Sequence, residues 1–448
     1  MSDLIVVGGG AAGWSAALTA AQAGLNVCIL EKLGESGGSS ALSGGCLAFA
    51  GTDLQQEQGV EDSPDLLFAD LREVGKEEND ENLVRTYCDR QLEVYGWLKD
   101  SGVTFSPTLE TASGQSVPRV HTVDPADLVR NLARAAQATG KVDYHPSCAA
   151  RELIRENSRV VGLVTTQGEE LRAKRGVILA SGGFAKNPEL LKLFAPHYEE
   201  AVFVAGDGSQ GDGLRMGWKL GADMRDMAYV KGTFGKHPTD ESNDHSLQAV
   251  YKGAIAVNQN GKRFVDESIS YKLLGDAVMA QPWRTGYQIM DQAIFDTGDD
   301  RVRILDFGRR LEEGLFYTGD TIEQLARQID IDPEVLNETI ARYNSGVDLG
   351  EDSEFGRKHL VHRHGSLCKI EQPPFYAYPS TAVVFGTYCG LRIDPKAQVI
   401  DVDGQPIAGL YAAGEVTGGF HGAAYMTGSA LGKAIVFGRI AAESCAQP

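Results

Sequence analysis

The sequence predicts an α/β fold: a Rossmann-like domain assembled from both ends of the chain, with an α+β segment inserted between them. Three observations predict it. The first residues run strand, glycine turn, helix, strand and acid in that order. From about residue 232 to 355 glycine thins and charge rises. From 356 the chain returns to short glycine-rich strands and closes on a long apolar helix. The expected division is therefore 1–231 for the first part of the nucleotide-binding domain, 232–355 for the insert, and 356–448 for the second part.

Leu4 to Val7 is a short apolar run with the pattern of a buried strand. Gly8-Gly9-Gly10-Ala11-Ala12-Gly13 follows at once and matches GxGxxG. Trp14 to Ala23 reads as an alanine-rich helix, and Leu25 to Leu30 as a second strand ending at Glu31. Gly8 permits the tight turn, Gly10 lets a pyrophosphate approach backbone N–H groups, and Gly13 lets the helix lie close on the strand. Phosphates then sit at the helix N-terminus, where unpaired N–H groups and the dipole favour negative charge. Glu31, 18 residues after Gly13, is placed to bind ribose hydroxyls. A dinucleotide site is thus expected, with Gly8, Gly10, Ala12, Gly13, Glu31 and Lys32 contributing. The pattern alone does not choose between FAD and NAD. The next loop tilts toward FAD. Its Gly38, Ser39, Ser40, Ser43, Gly44 and Gly45 can cover a pyrophosphate and a flavin with amides and hydroxyls, where an NAD dehydrogenase would continue into an ordinary helix.

Pro125 to Ala136 reads as an amphipathic helix with Asp124 as N-cap, Pro125 at its first position and Asp127 in its first turn. Val142 to His145, Ala149 to Ile154, Val160 to Thr166 and Glu170 to Ala173 read as short strands, and Val177 to Ala180 as a separate buried one. Ala149, Ala180, Gly182 and Asp212 fall at turns of the cofactor domain. Thr321 to Asn344 looks helical, Gly390 to Asp394 begins a strand, Gly409 to Glu415 is strand then turn, and Met426 to Ala442 is the final helix.

Composition excludes several classes. Gly occupies 53 of 448 positions, well above the roughly 7% of an average protein, but in runs beside apolar strands rather than in a repeat. The formal net charge of -19 argues against a nucleic-acid partner. The seven Cys form no CxxC or CxxCH pattern, so structural zinc, c-type haem and a disulfide scaffold are not expected. No basic segment precedes the first apolar run and no stretch of 18 apolar residues occurs, so the expectation is a cytoplasmic protein without a membrane span. The His and Asp residues near 237–245 and 362–364 lack metal-ligand spacing.

Four segments together resemble the flavoproteins of fumarate reductase, succinate dehydrogenase and the 3-ketosteroid dehydrogenases. They are GGGAAG with Glu31, GGSSALSGG at 37–45, GAIAVNQNGKRFVDES at 253–268, and AAGEVTGGFHGAAYMTGSALGKAIVFGR at 412–439. The resemblance implies an FAD-binding domain of the glutathione-reductase type and a cap domain, with the active site between cap and flavin. It places Gly414, Glu415 and His421 near the flavin, and Ser429 and Leu431 at a helix N-terminus aimed at the flavin O2 region. There the dipole would stabilise reduced flavin. Succinate dehydrogenases bond their flavin to a His in the loop after the second strand. Ser39 to Ser43 contains none, so FAD is expected to be held non-covalently.

The departures from the family bear on the chemistry. Fumarate reductases place a proton-donating Arg after RFxxE, and a second Arg in GANRLGG clamps a substrate carboxylate. Tyr271 and Tyr425 stand at these places, and the position of a third carboxylate-binding group, a His, falls near Gly386. Arginine forks suit carboxylates, whereas tyrosines suit a ketone or enone oxygen. The 3-ketosteroid dehydrogenases have a similar pair of tyrosines. The resemblance implies that hydride passes between flavin N5 and the β-carbon of a carbonyl compound. Tyr271 would move the α-proton and Tyr425 would polarise the carbonyl. Such an enzyme is a 3-ketosteroid-like dehydrogenase or an ene-reductase.

His237, Tyr388, Arg119 and Ser429 are further candidates for the substrate pocket, and His121 could border it. The alternatives are fumarate-reductase-like reduction of an unsaturated carboxylate, with clamps from Arg119, Lys236 or Arg392, an aspartate-oxidase-like amine oxidation, and a non-catalytic FAD-binding regulator. A monomer or small homo-oligomer is expected. The electron partner is open: a transient NAD(P)H, a diffusible acceptor or a separate protein, since no haem, iron–sulfur or second nucleotide motif is present.

Overall fold

The computed structural model describes residues 2–198, 201–230, 232–240 and 245–447. Its larger sheet runs in the order Gln398–Ile400, Pro406–Ala412, Arg159–Thr165, Glu170–Leu179, Ser2–Val7, Val27–Leu30 and Val142–His145, with Ala150–Glu156 hairpinned onto Arg159–Thr165. Pro406–Ala412, Glu170–Leu179, Ser2–Val7, Val27–Leu30 and Val142–His145 are mutually parallel along this path. Parallel strands covered by helices are buried on both faces, hence the unbroken apolar runs LIVV and VCIL. Register brings Val7 level with Leu30 and with Leu179, and Leu179 level with Ala412. Gly8, Glu31, Ala180 and Ala413 therefore emerge at one edge, the carboxyl ends of the strands, where α/β sheets bind ligands.

Two helices close this domain. Ala11–Gln22 follows the glycine turn, and Ser429–Ala446 returns from the far end of the chain to lie against it. A Cβ on Gly438 would stand 2.4 Å from the Ala12 carbonyl oxygen, so a glycine is needed at the crossing. The ends of the sequence thus build one domain.

The second sheet has six strands. Phe375–Val384 is its spine, pairing with Val202–Phe203, Thr233–Lys236, Gly286–Asp291 and Tyr317–Gly319, while Ile255–Val257 adds to Gly286–Asp291. It has its own core, from Leu247 through Ile289 and Leu336 to Tyr378.

Several expected elements differ in extent. Glu170–Leu179 is one strand rather than two, because Gly176 (φ +149°) carries the chain through at a point where Gly409 O leaves no room for a side chain. The helix expected over Thr321 to Asn344 is two, Ile322–Gln328 and Pro333–Leu349. Asp332 caps the second and Pro333 occupies its first position, where proline starts helices rather than continues them. The last helix begins at Ser429, after Gly428 in the left-handed region, and not at Met426. The longest strand of the second sheet lies at Phe375–Val384, past residue 355, so its pairing carries the inserted layer further along the chain than the change in composition does.

Candidate active site

One continuous cavity follows the carboxyl edge of the parallel sheet and runs under the second sheet. Its first half is made by the N-terminal turn. Gly8 has φ +112°, and a Cβ there would meet Ala180 O at 2.3 Å; a Cβ on Gly13 would meet Gly8 O at 1.9 Å. Glycine at both positions is what lets strand, turn and helix nest. Glu31 accepts hydrogen bonds from the N–H groups of Gly9 (2.9 Å) and Leu33 (2.9 Å), which fixes its carboxylate beside the turn. Ser40 Oγ accepts from the Ala11 N–H at 3.1 Å, and Ser39 Oγ from Gly206 at 3.0 Å, so the serine loop is folded over the helix N-terminus. Lys32 pairs with Asp212 at 2.6 Å across the same end. Backbone donors, small residues and a fixed acid in this order fit the phosphates and ribose of FAD.

The other half carries the polar aromatic groups. Tyr271 is the first residue of helix Tyr271–Met279, whose N-cap Ser270 donates to the Tyr425 carbonyl at 2.9 Å. That bond ties the inserted segment to the last stretch of the FAD-binding domain at the site itself. The Tyr271 and Tyr425 rings are 5.8 Å apart, and Tyr388 lies 4.9 Å from Tyr425. His421 stands 5.4 Å from both Tyr388 and Tyr425. The Tyr425 hydroxyl oxygen accepts from the Gly428 N–H at 3.1 Å, at the start of the last helix, and that of Tyr271 accepts from Thr427 Oγ1 at 3.1 Å. The two phenols also hydrogen-bond each other, Tyr271 donating to the Tyr425 oxygen.

Burial, then the neighbouring phenols, push the Tyr271 and Tyr388 hydroxyls well above the ordinary tyrosine range; burial pushes Tyr425 up to about 12. The hydroxyls are thus protonated at neutral pH. Burial, then the charges of Lys433 and Lys272, hold His421 well below its ordinary value, so it is neutral. Burial raises the Glu415 carboxyl, which accepts from the Thr387 N–H at 2.8 Å. Burial likewise lowers the Lys433 ammonium to about 8; its Nζ donates to Thr417 O at 2.9 Å.

Most residues singled out in the sequence meet in this cavity. Gly8, Gly10, Ala12, Glu31 and Lys32 line it, as do Gly38, Ser39, Ser40, Ser43 and Gly44 from the serine loop. Ala180, Gly182 and Asp212 join them, and Gly414, Glu415, His421 and Leu431 come from the far end of the chain together with Tyr388 and Tyr425.

Others lie elsewhere. Gly13 faces the strand, and Gly45 is pressed against Val123 O, which a Cβ would meet at 2.0 Å. Cys148 and Ala150 reach the cavity where Ala149 was expected. Ser429 turns its hydroxyl back to Met426 O at 2.7 Å, leaving Ala430 and Leu431 at the wall. Arg119 is fully buried in a double ion pair with Asp62 and Asp70, both at 2.6 Å, and does not line the cavity. His121 bonds Thr52 Oγ1 at 2.8 Å in the same interior. His237 packs on Tyr378 and contacts Thr239, outside the cavity wall. Lys236 pairs with Asp240 and Arg392 with Asp223, and neither lines the cavity.

The sequence reading passed over Thr427, Gln248, Arg303 and Lys433, all in the wall, and Lys272 beside it. Lys433 had a signal, a charge within the otherwise apolar first ten residues of the last helix; Lys272 stands next to Tyr271, but one charged residue at a helix start is ordinary. Among the described residues no cluster of potential metal ligands occurs, and no helix is long and apolar enough to cross a membrane.

Residues 3–431 match the family described as FAD binding domain. The chain is 31% identical over 457 residues to a probable fumarate reductase, Ifc3, of Shewanella frigidimarina, covering 100% of this chain and 75% of that one. It is 29% identical over 484 residues to the vinyl phenol reductase of Lactiplantibacillus plantarum, covering 99% and 96%. Among solved structures it is similar to 3-ketosteroid-Δ4-(5α)-dehydrogenase from Rhodococcus jostii RHA1 in complex with 4-androstene-3,17-dione: TM-score 0.81, 26% identity, 100% of this chain and 97% of that one.

Proposed function

We propose a specific chemistry from one premise: the chain belongs to the FAD binding domain family of fumarate-reductase-type flavoproteins, and is an FAD-dependent oxidoreductase acting on C–C or C=C bonds of small unsaturated substrates. FAD, held non-covalently, is its cofactor. The proposal is that it reduces an alkene activated by a neutral carbonyl, an enone, in the cavity between the FAD cradle and the inserted segment, which serves as a cap.

The observation that carries this reading is the pair of buried hydroxyls on Tyr271 and Tyr425 in one wall of the cavity, with Tyr425 accepting from the Gly428 N–H. Bound FAD in its reduced form supplies a hydride to the β-carbon. Tyr425 donates to the carbonyl oxygen as negative charge gathers there. The Gly428 N–H at the helix N-terminus polarises the phenol from behind, as an oxyanion-hole donor does. Tyr271 gives its proton to the α-carbon. The cap tie through Ser270 holds the two phenols in register and helps exclude water.

A second reading is reduction of an unsaturated carboxylate. The name of the Shewanella relative favours it. So do two cations: Arg303, the only arginine among the described residues in the wall, and Lys272 beside the tyrosines. The similarity to curated relatives supports this reading more than the first, and the tyrosine geometry supports the first. One experiment separates them. Anaerobic protein reduced with dithionite is mixed with 2-cyclohexenone, a 4-ene-3-ketosteroid, fumarate or acrylate, and recovery of oxidised-flavin absorbance is followed. Fast recovery with an enone and not with the acids is expected. Fast recovery with fumarate or acrylate alone would assign the carboxylate chemistry instead.

A further inference from the structure

Lys433 lies one turn into the last helix, is 2% exposed and lines the cavity. Its ammonium donates to Thr417 O at 2.9 Å and, among the described residues, makes no ion pair. A buried charge without a paired counter-charge is costly, and folded proteins keep one where a partner offsets it. The wall around Lys433 shows where that partner comes. A Cβ on Gly414 would stand 2.9 Å from Ala12 Cβ and 3.7 Å from Ala434 Cβ, so Gly414 joins the helix behind the phosphate turn to the helix that carries Lys433. Glu415 follows, and accepts from the N–H of Thr387, the residue before Tyr388. Gly414, Glu415, Lys433 and Ala434 thus line the stretch of wall that links the nucleotide cradle to the phenols. An FAD with its pyrophosphate on the glycine turn and its ring at the phenols passes this stretch.

The titratable groups that bear on Lys433 come from several segments. Asp226 accepts from the Gly419 N–H at 2.8 Å and Glu415 from Thr387; burial raises both carboxyls. Arg225 bears on Asp226 and is itself paired with Asp223. Burial pushes the Cys389 thiol far above the ordinary thiol range and the Tyr87 phenol, packed against Gly432, well above the tyrosine range, so both are neutral. His421 is neutral as well, and the charge of Lys433 is among the causes that lower it. Burial, opposed by Asp226, Glu415 and Cys389, brings the Lys433 ammonium down to about 8. It is charged at pH 7 and loses its proton a little above.

FAD that takes up two electrons and one proton gains one negative charge. We infer that Lys433 is an electrostatic tuning residue whose charge favours the reduced over the oxidised form of bound FAD, and so raises the potential at which this protein accepts electrons from its donor. The inference rests on FAD as the cofactor and not on the enone reading. It is stated as a difference: whatever Asp226 and Glu415 contribute, removing the cation leaves them facing the same stretch of cavity unopposed. At about 10 Å and an effective dielectric constant of about 20, one unit charge changes an equilibrium that adds one charge by about tenfold. That is about 30 mV for a two-electron couple.

The test measures the midpoint potential of the FAD-loaded protein by anaerobic equilibration with reference dyes. At pH 7 the midpoint of Lys433→Met is expected to fall by about 30 mV, the tenfold loss of preference for the reduced form, while Lys433→Arg stays near the parent. The midpoint is also followed with pH. One proton per two electrons gives a slope of about 30 mV per pH unit. Reduction raises the affinity of Lys433 for its proton, so just above pH 8 the parent takes up a second proton with the two electrons and its slope about doubles. In Lys433→Met the slope should stay constant, an effect that a merely structural lysine would not produce. Retained flavin absorbance certifies each variant. A Lys433→Met midpoint equal to that of the parent overturns the inference, even where FAD is bound more weakly, since equal loss for both forms would pair the ammonium with the pyrophosphate instead. If Lys433→Met does not hold FAD, the parent alone decides: a slope unchanged through pH 9 overturns the inference, and a doubled one upholds it. No substrate enters the measurement, so failure of the enone reading leaves its outcome untouched.

Discussion

Tyr271→Phe removes a single oxygen from the cavity wall. The ring, 9% exposed, keeps its place at the helix start and its contact with Tyr425 at 5.8 Å. The structural cost is the hydrogen bond from Thr427 Oγ1, about 1 kcal/mol and recoverable by rotation of that hydroxyl. The chemical cost is larger, because the other phenols have different places: Tyr425 is held by the Gly428 N–H and Tyr388 lies on its far side. Loss of a positioned general acid slows a proton-coupled step by about 10²–10⁴-fold, or about 3–5 kcal/mol of barrier. The assay is anaerobic stopped-flow reoxidation of dithionite-reduced protein over a range of enone concentrations. The limiting rate is expected to fall by about that factor, while the half-saturating concentration and the FAD content change little, because the lost interaction acts in the transition state. A limiting rate equal to that of the parent protein would remove Tyr271 from the mechanism, and the proton would have to come from Thr427 or solvent.

Three further outcomes are expected. Glu31→Gln keeps an acceptor for only one of the two N–H groups that the carboxylate now holds. At about 1.5–3 kcal/mol per charge-assisted bond, FAD binding weakens by about ten- to 150-fold; titration of the apoprotein with FAD and with FMN checks this, and FMN, lacking the adenosine ribose, should lose less. Arg119→Leu strands Asp62 and Asp70 without their buried partner and should cost about 3–5 kcal/mol in urea denaturation. The folded fraction should keep its KM, and a raised KM would return Arg119 to the substrate pocket. His121 is held by burial at about 4, below its ordinary value of 6.5. It stays neutral in the folded chain while the unfolded chain takes up a proton below 6.5. The stability it contributes is thus complete above pH 6.5 and lost as pH falls through 4, about 3 kcal/mol in all. His121→Gln should flatten that part of the stability profile measured by urea between pH 7 and pH 4.5.

The nucleotide cradle was legible because its chemistry is local in sequence. A strand, a turn that tolerates no side chain, and an acid on the next strand fall within the first 31 residues, and each constraint acts on its near neighbours. The inserted sheet was harder to bound, since its spine, Phe375–Val384, pairs with strands as far upstream as Val202–Phe203 and looks by composition like the apolar strands of the cofactor domain. The charged candidates were harder to place for a related reason. A sequence shows that Arg119 is a cation but not that Asp62 and Asp70 consume its charge from helix and loop positions 49 and 57 residues away. Subtracting Arg119, Lys236 and Arg392 from the cavity changes the functional argument more than any residue confirmed there. Arg119, Lys236 and Arg392 each pair with a carboxylate outside the cavity wall. A clamp for a carboxylate would have to draw on Arg303 or on Lys272. A carbonyl needs neither, only hydroxyl donors such as those of Tyr271 and Tyr425 in the same wall.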